Sequence, residues 1–245
     1  MHCLYCFFEA PLLSFGAPAV DETRPAGAFP TRSMLTGLVA NALGWDHAHF
    51  ERLQALQEGL RVGARADRPG EVLRDFHTVD LSQGFMQQGW TTRGRVERRG
   101  GGSAKTGTHI RYRYYRADAV WLVVLSWAGT GGPVSLSDIE NALAHPARPI
   151  FFGRKSCPPS RPLRPVRVEA AGLAEVLATI PLHPRHVDHR PWTAWCPADD
   201  PSLAGRRMWP VRAATLRDWA NQVHTGTEEL VRFGVEPPTR AGGEA

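Results

Sequence analysis

The sequence predicts an α+β fold: a ferredoxin-like or RRM-like βαββαβ domain that carries a long basic β-hairpin and a small C-terminal extension. Three observations lead there. Up to about residue 152, apolar patterns of period 2 and of period 3.6 follow one another as strand, helix, strand, strand, helix, strand. Between the second and third strands the order is broken by Met86–Arg113, which holds seven Arg or Lys residues and one Glu, a net +6 in a chain whose total is +5. Val120–Trp127 is a continuous β-branched and aromatic run, the mark of a central buried strand.

The elements follow in chain order. Cys3–Phe8 is the first strand, with Pro11 as its stop. Asp21–Phe29 is a loop. In MLTGLVANALG, Leu35, Leu38, Val39, Ala42 and Leu43 form one helical face; Thr31 or Ser33 caps it and Gly44 ends it. His49–Gly59 is a second short helix, and Leu60–Ala66 a strand ending in the turn Asp67–Gly70. Val72–Val79 leads into the basic arm. After the arm, Ser135 and Asp138 box the start of a helix over Leu136–Ala144, and Ile150–Phe152 is a short fourth strand. Beyond Leu163 the pattern weakens. Val166–Val168 reads as a strand, Leu173–Ala178 and Arg212–Val223 as helices, and Glu236–Ala245 as a disordered tail. Trp192, Trp195, Trp209 and Trp219 imply packed or interface surface.

The arm carries most of the chemistry. Arg93, Arg95, Arg98, Arg99, Lys105, Arg111 and Arg113 surround a Gly100–Ser103 tip that can bury nothing. Such a segment gains too little from apolar burial to fold alone and is suited to ordering on a polyanion. Its flanks, Thr91–Val96 and Thr108–Tyr115, are expected to pair as the hairpin. Arginines alternating with tyrosines suit RNA, because rings and guanidinium planes stack on unpaired bases while charge meets phosphate. A solvated loop is the bland alternative. Two further places could hold phosphate. One is the helix start at Thr31–Ser33 with Arg32 in its first turn, though an ordinary capped helix explains it as well. The other is the loop Gly153-Arg154-Lys155-Ser156, against a plain basic turn. His77, at the base of the arm, fits an RNA contact, a general base or a satisfied interior ring.

Composition sets the outer limits. A chain of 245 residues with 42% hydrophobic content holds one large domain or two small ones. Its 20 prolines and 24 glycines imply many turns, and its net +5 favours an anionic partner. Cys3, Cys6, Cys157 and Cys196 lack a second pair at zinc spacing. Cys3 and Cys6, three apart on a strand, point to opposite faces and read as structural thiols of a reducing cytosol. Neither a signal peptide nor a membrane span is expected.

Taken together, Ala10-Pro11-Leu12-Leu13-Ser14-Phe15-Gly16, Thr23-Arg24-Pro25, Phe29-Pro30-Thr31-Arg32-Ser33 with Gly37-Leu38, Leu73–Val79, Arg113–Ala119 and Gly153–Pro158 stand in an order and spacing that resembles one family. It is the CasD (Cas-five) family of the type I-E CRISPR Cascade complex, a branch of the RAMP superfamily. Leu13 stands where that family has Gln, and Phe15 where it has Trp. The resemblance carries through about residue 165. It implies a RAMP ferredoxin-like domain over residues 1–165, with a thumb over 81–113, an extension over 166–235 packed on it, and a tail over 236–245. It also implies a cytoplasmic, non-catalytic, cofactor-free RNA-binding subunit. Such a subunit caps the 5′ handle of CRISPR RNA and packs against the backbone and large subunits. It meets target DNA only through the complex and touches no membrane. The RNA-binding residues are then Arg24, Pro30, Thr31, Arg32, Ser33, His77 and Thr78; the thumb's Arg93, Arg95, Arg98, Arg99, Lys105, Arg111 and Arg113; and Gly153, Arg154, Lys155 and Ser156.

Two other functions fit parts of the sequence. A related branch of the family cuts precursor RNA without metal, which needs a general base and a cation beside the phosphate. His77, His109 and Lys105 could supply them, yet the motifs match the non-cutting branch, and no carboxylate cluster suggests a metal nuclease. The third is an RRM-like domain that binds some other RNA on its open sheet face.

Overall fold

The computed structural model describes residues 1–17, 19, 22–84, 88–90, 95–98, 107–129 and 132–238, with Trp90 and Arg98 described by backbone alone. Its centre is β7, a 20-residue strand over Thr108–Trp127. The C-terminal half of β7 pairs antiparallel with β1 (His2–Leu13) and with β3 (Leu60–Arg68). The N-terminal half pairs antiparallel with β4 (Glu71–Asp80), and at Tyr112 and Arg113 it pairs parallel with the two-residue β2 (Thr23–Arg24). The strand runs unbroken through Ala117–Ala119, where the φ of 54° at Asp118 lies in the left-handed region an Asp tolerates. The Asp118 carboxylate is held there by Arg68 and Arg185.

Beyond this centre, β8 (Val166–Glu169) adds to the free edge of β1, and β9 (Trp192–Pro197) adds to β3. A hairpin of β10 (Met208–Asp218) and β11 (Val223–Val235) then adds to β9. The order among the described residues is β10-β11-β9-β3-β7-β1-β8. Two short strands, β5 (Gln88–Trp90) and β6 (Val96–Arg98), pair apart from this sheet.

Both faces of the sheet are covered, and β7 explains how. Trp121, Val123 and Leu125 point into one core, with Cys6, Phe8 and Ala10 of β1. That core is closed by α1 (Arg32–Ala42), α2 (Phe50–Gly59) and α3 (Leu136–Ala144). Leu122 and Val124 point into the other core, with Cys3, Trp192 and Cys196, closed by α4 (Leu173–Thr179). A strand buried on both sides must be apolar at every position, which is why its run is unbroken. The same alternation sends Cys3 and Cys6 to opposite cores, as their spacing predicts.

Local signals decide the helix ends. Thr31 Oγ1 accepts from the Met34 N–H at 3.3 Å to start α1, and Gly44, at φ 79°, follows its end. Ser135 and Asp138 form the expected box at α3. Their hydrogen bonds hold the Asp138 carboxyl below its ordinary range.

Four expectations are corrected, and a fifth, the tail, falls mostly outside the described residues. Pro11 does not end β1; it sits exposed in a gap of the register between Ala10↔Ala119 and Leu12↔Ala117. Ile150–Phe152 is not a strand, because Gly153 turns the chain at φ 90° and no neighbour offers a ladder; Phe152 is instead a core residue stacked 4.3 Å from Phe8. Arg212–Val223 is not a helix. Pairing of β10 with β11, and of β11 with β9, overrides the helix propensity of Ala213, Ala214 and Leu216. The sheet has no open platform on its second face, since α4 and Trp192 cover it. Within the expected tail, Pro237 is buried and the Pro238 carbonyl accepts from the Leu182 N–H at 2.9 Å; residues 239–245 lie outside the described residues.

Candidate nucleic-acid interface

Among the described residues the strand that pairs with Thr108–Tyr115 is β4; of the expected partner Thr91–Val96, residues 91–94 lie outside the described residues. Val96 pairs back onto Trp90. Ten consecutive pairs from Glu71↔Ala117 to Asp80↔Thr108 close the ladder with β4.

This register sorts the ribbon's side chains, because directly opposed residues share a face and so do residues two apart. One face carries Asp75↔Arg113, His77↔Arg111 and Val79↔His109. The other carries Arg74↔Tyr114, Phe76↔Tyr112 and Thr78↔Ile110. The first face is the more polar, with Arg111, Arg113, two histidines and the Asp75 carboxylate. His77 Nε2 lies 2.6 Å from Asp75 Oδ2 within it. The second is aromatic and apolar. The Phe76 and Tyr112 rings are 5.6 Å apart, and the Arg74 guanidinium sits 5.3 Å from the Tyr112 ring. Phe76 is 54% exposed and Ile110 41%, so this face presents apolar surface. His77 and Thr78, adjacent in sequence, therefore lie on opposite faces.

At its base the first face runs into a cleft of about 540 Å³ beside α1. Arg24 is the link: it pairs with Arg113 across β2 and β7, and it lines the cleft. The cleft also gathers Thr31, Ser33, Gly153 and Arg154, which sequence places far apart. Their meeting depends on backbone contact. The Ser14 N–H donates to the Phe152 carbonyl at 3.1 Å, and a Cβ on Gly153 would run into the Ser14 carbonyl. The close approach that Gly153 permits is thus to its own chain. Arg154 is also largely committed. It donates to the carbonyls of Tyr114 at 2.9 Å and Arg24 at 3.0 Å, and lies 4.8 Å from the Tyr115 ring. It fixes the base of the ribbon to the cleft while its charge stays at the site.

The remaining predicted residues fall elsewhere. Arg32 pairs with Glu228 of β11, and with Pro30 it lines a separate small gap beside Trp195. Lys155 and Ser156 are exposed, with Ser156 Oγ 3.4 Å from the Tyr115 hydroxyl. Neighbouring Cys157 is buried, and burial pushes its thiol pKa up. Arg95 is exposed just before β6, and Arg98 ends that strand. Arg93, Arg99, Lys105 and the Gly100–Ser103 tip lie outside the described residues. Sequence reasoning marked Trp219 only as packed or interface surface and missed the cleft residues Trp45, His47, Arg148, Arg217 and His224. Arg217 and His224 are set by tertiary placement, and no local signal marks them. Among the described residues no group of His, Cys, Asp or Glu is placed to hold a metal, and no helix is long and apolar enough to cross a membrane.

Fold and site together define a class of protein: an antiparallel-sheet body that holds a two-faced basic ribbon beside a cation-lined cleft. A family model described as CRISPR-associated protein (Cas_Cas5) matches residues 3–229, and the chain belongs to that family. The match runs well past residue 165, where the sequence motifs stop. The CRISPR system Cascade subunit CasD of Escherichia coli (strain K12) is 33% identical over 153 residues, 62% of this chain. That match spans 65% of the relative, just under two thirds of its length. A solved structure described as a CRISPR RNA-guided surveillance complex superposes with a TM-score of 0.65 at 26% identity, over 95% of this chain and 90% of that one. Another, described as the crystal structure of a Cas protein, has a TM-score of 0.55 at 24% identity over 94% and 91% of the two chains, a likeness of fold.

Proposed function

We propose that this chain is a non-catalytic, cytoplasmic CRISPR RNA-binding subunit of a type I-E Cascade surveillance complex. Its body is a ferredoxin-like βαββαβ unit, which the antiparallel order β8-β1-β7-β3 supports. Residues 1–165 form most of that body, and the extension over 166–235 supplies β8 to complete its sheet. The ribbon and the segment beyond it, 81–113, act as a thumb. The thumb wedges into single-stranded RNA where the 5′ handle meets the guide, and the cleft takes the handle. The complex's backbone and large subunits pack on the body. Target DNA is met only through the assembly, its sequence being read by guide pairing.

The observation that carries this reading is the two-faced register of β4 and β7. A polar face with Arg111 and Arg113 for phosphates and an aromatic face, with Arg74 beside Tyr112, for bases, back to back on one thin ribbon, is a surface suited to single-stranded RNA. Among the described residues, the rival, a metal-independent ribonuclease, draws support from the His77–Asp75 contact, and an aspartate two residues along a strand serves equally to hold an imidazole in place.

The test is co-purification. The complex assembled around Arg111→Ala/Arg113→Ala should carry clearly less CRISPR RNA than the parent complex, most of all at raised salt. Full RNA occupancy at every salt concentration would defeat the proposal.

A further inference from the structure

The last hairpin leaves one corner of the sheet uncovered. Directly opposed residues share a face, so Trp209 lies beside Arg232, and Val211 beside Leu230, on the side that α1 and α2 cover. The cover stops short of the corner. Leu230 is buried in the core, and Glu228 is held by Arg32 at the start of α1. One row out, Trp209 is 41% exposed and Arg232 lies at the surface. Exposed Arg207, two residues before Trp209, joins them just ahead of β10.

Both guanidinium groups are held against the indole. The Arg207 guanidinium carbon lies 5.2 Å from the Trp209 ring centroid, and that of Arg232 lies 5.4 Å from it. Such contacts order a long side chain before a partner arrives and so reduce what docking costs in entropy. Among the described residues, neither guanidinium has a hydrogen-bond or ion-pair partner. Arginines nearby differ: Arg212 pairs with Glu229 at 2.9 Å, Arg61 with Asp199 and Arg32 with Glu228. The corner therefore carries two uncompensated charges, each a planar fork that matches a carboxylate in two-point contact.

Its composition and place fit a protein partner better than RNA. Trp, Arg and Met are enriched at protein interfaces, and Met208, next to Trp209 at the sheet edge, is 42% exposed. The indole is already engaged by cations from two segments, whereas base stacking takes an open ring face. The strand that carries Trp209 also stands four places from β7 in the sheet, about 19 Å at ordinary strand spacing.

We propose that Arg207, Trp209 and Arg232 form the docking site for an acidic segment of a neighbouring protein subunit. Asp or Glu side chains of the partner take the two guanidinium forks, and the indole lies against the apolar residues between them. This rests on the reading of the chain as a subunit of a larger complex, and it names the surface and the chemistry of one contact in it.

The test is zero-length carbodiimide crosslinking, which joins an amine to a carboxylate in direct contact, on the assembled RNA-loaded complex. The lysines of this chain are Lys105 and Lys155, both in other segments, so the amines introduced by Arg207→Lys/Arg232→Lys report on the corner alone. Peptide mass spectrometry should find position 207 or 232 joined to an Asp or Glu of a different subunit. Arg207→Glu/Arg232→Glu sets like charges together and should weaken retention of that subunit at least about tenfold, read by native mass spectrometry, with CRISPR RNA kept. If no crosslink leaves this chain and Arg207→Glu/Arg232→Glu retains every subunit, the inference is overturned. Loss of RNA with all protein subunits in place overturns it too and makes the corner a nucleic-acid contact, and a crosslink to a second copy of this chain does the same for self-association. Full RNA occupancy in Arg111→Ala/Arg113→Ala would defeat the RNA reading and leave a crosslink to another subunit standing. Failure of the wild-type chain to assemble with any other protein would defeat the subunit reading, and the docking site with it.

Discussion

Arg32 and Glu228, 196 residues apart in the chain, form a largely buried ion pair. Glu228 also accepts from the Thr215 hydroxyl at 2.8 Å, so the pair ties the first turn of α1 to both strands of the last hairpin. Removing one member leaves a buried charge alone, which costs more than the intact pair contributes. Glu228→Ala should lower the unfolding free energy by about 3 kcal/mol, read by urea denaturation. A loss within experimental error of zero would mean that the hairpin is held by its strand pairing alone.

The two faces of the ribbon make separable demands on RNA. Arg111→Ala/Arg113→Ala should weaken repeat-RNA binding and flatten its salt dependence by roughly 0.7 per phosphate lost. Phe76→Ser/Ile110→Ser should also weaken binding, by about 1–3 kcal/mol for each stacked base released, at unchanged slope. Equal slopes in the two double variants would show that the faces do not divide the work in this way.

His77 sits 2.6 Å from Asp75 and directly across the strand pair from Arg111. In cells that retain their separate processing enzyme, His77→Ala should leave precursor-RNA cleavage unchanged, as read by northern blot. Purified chain that cuts a repeat hairpin, and stops cutting after this change, would establish the ribonuclease reading instead.

Gly153 combines a φ of 90° with backbone contact against Ser14. Gly153→Ala adds strain in the left-handed region and a clash that only a backbone shift can relieve. The expected loss is at least about 2 kcal/mol, visible as a lowered Tm. Ser156→Ala, three residues on and exposed, should leave Tm nearly unchanged.

Burial pushes the thiol of Cys3 up to about 11 and that of Cys6 up to about 12. Both should resist alkylation at neutral pH and react at once in denaturant, as read by mass spectrometry. An unfolded cysteine loses its proton near pH 8.5, roughly. Above that pH the unfolded chain binds fewer protons than the folded one, so stability is whole below it and falls as pH rises toward the folded values. Cys6→Ala should flatten this alkaline decline.

The sequence by itself determined the elements whose signals are local. The box at Ser135 and Asp138, the Thr31 cap, the period of α1 and α2, the unbroken run of β7 and the opposed cysteines all rest on interactions spanning a few residues. It also showed where the charge lies, since net charge needs no fold. Tertiary structure alone decided which strand meets which. Thr108–Tyr115 pairs with β4, the last helix of the expectation is a hairpin, and the fourth strand is Val166–Glu169. The same holds for the cleft, where Arg24, Gly153, Arg154 and Arg217 converge from three segments. Pairing and convergence are chosen by the burial of surfaces distant in sequence. That term exceeds local propensity, and it leaves no trace in the order of neighbouring residues.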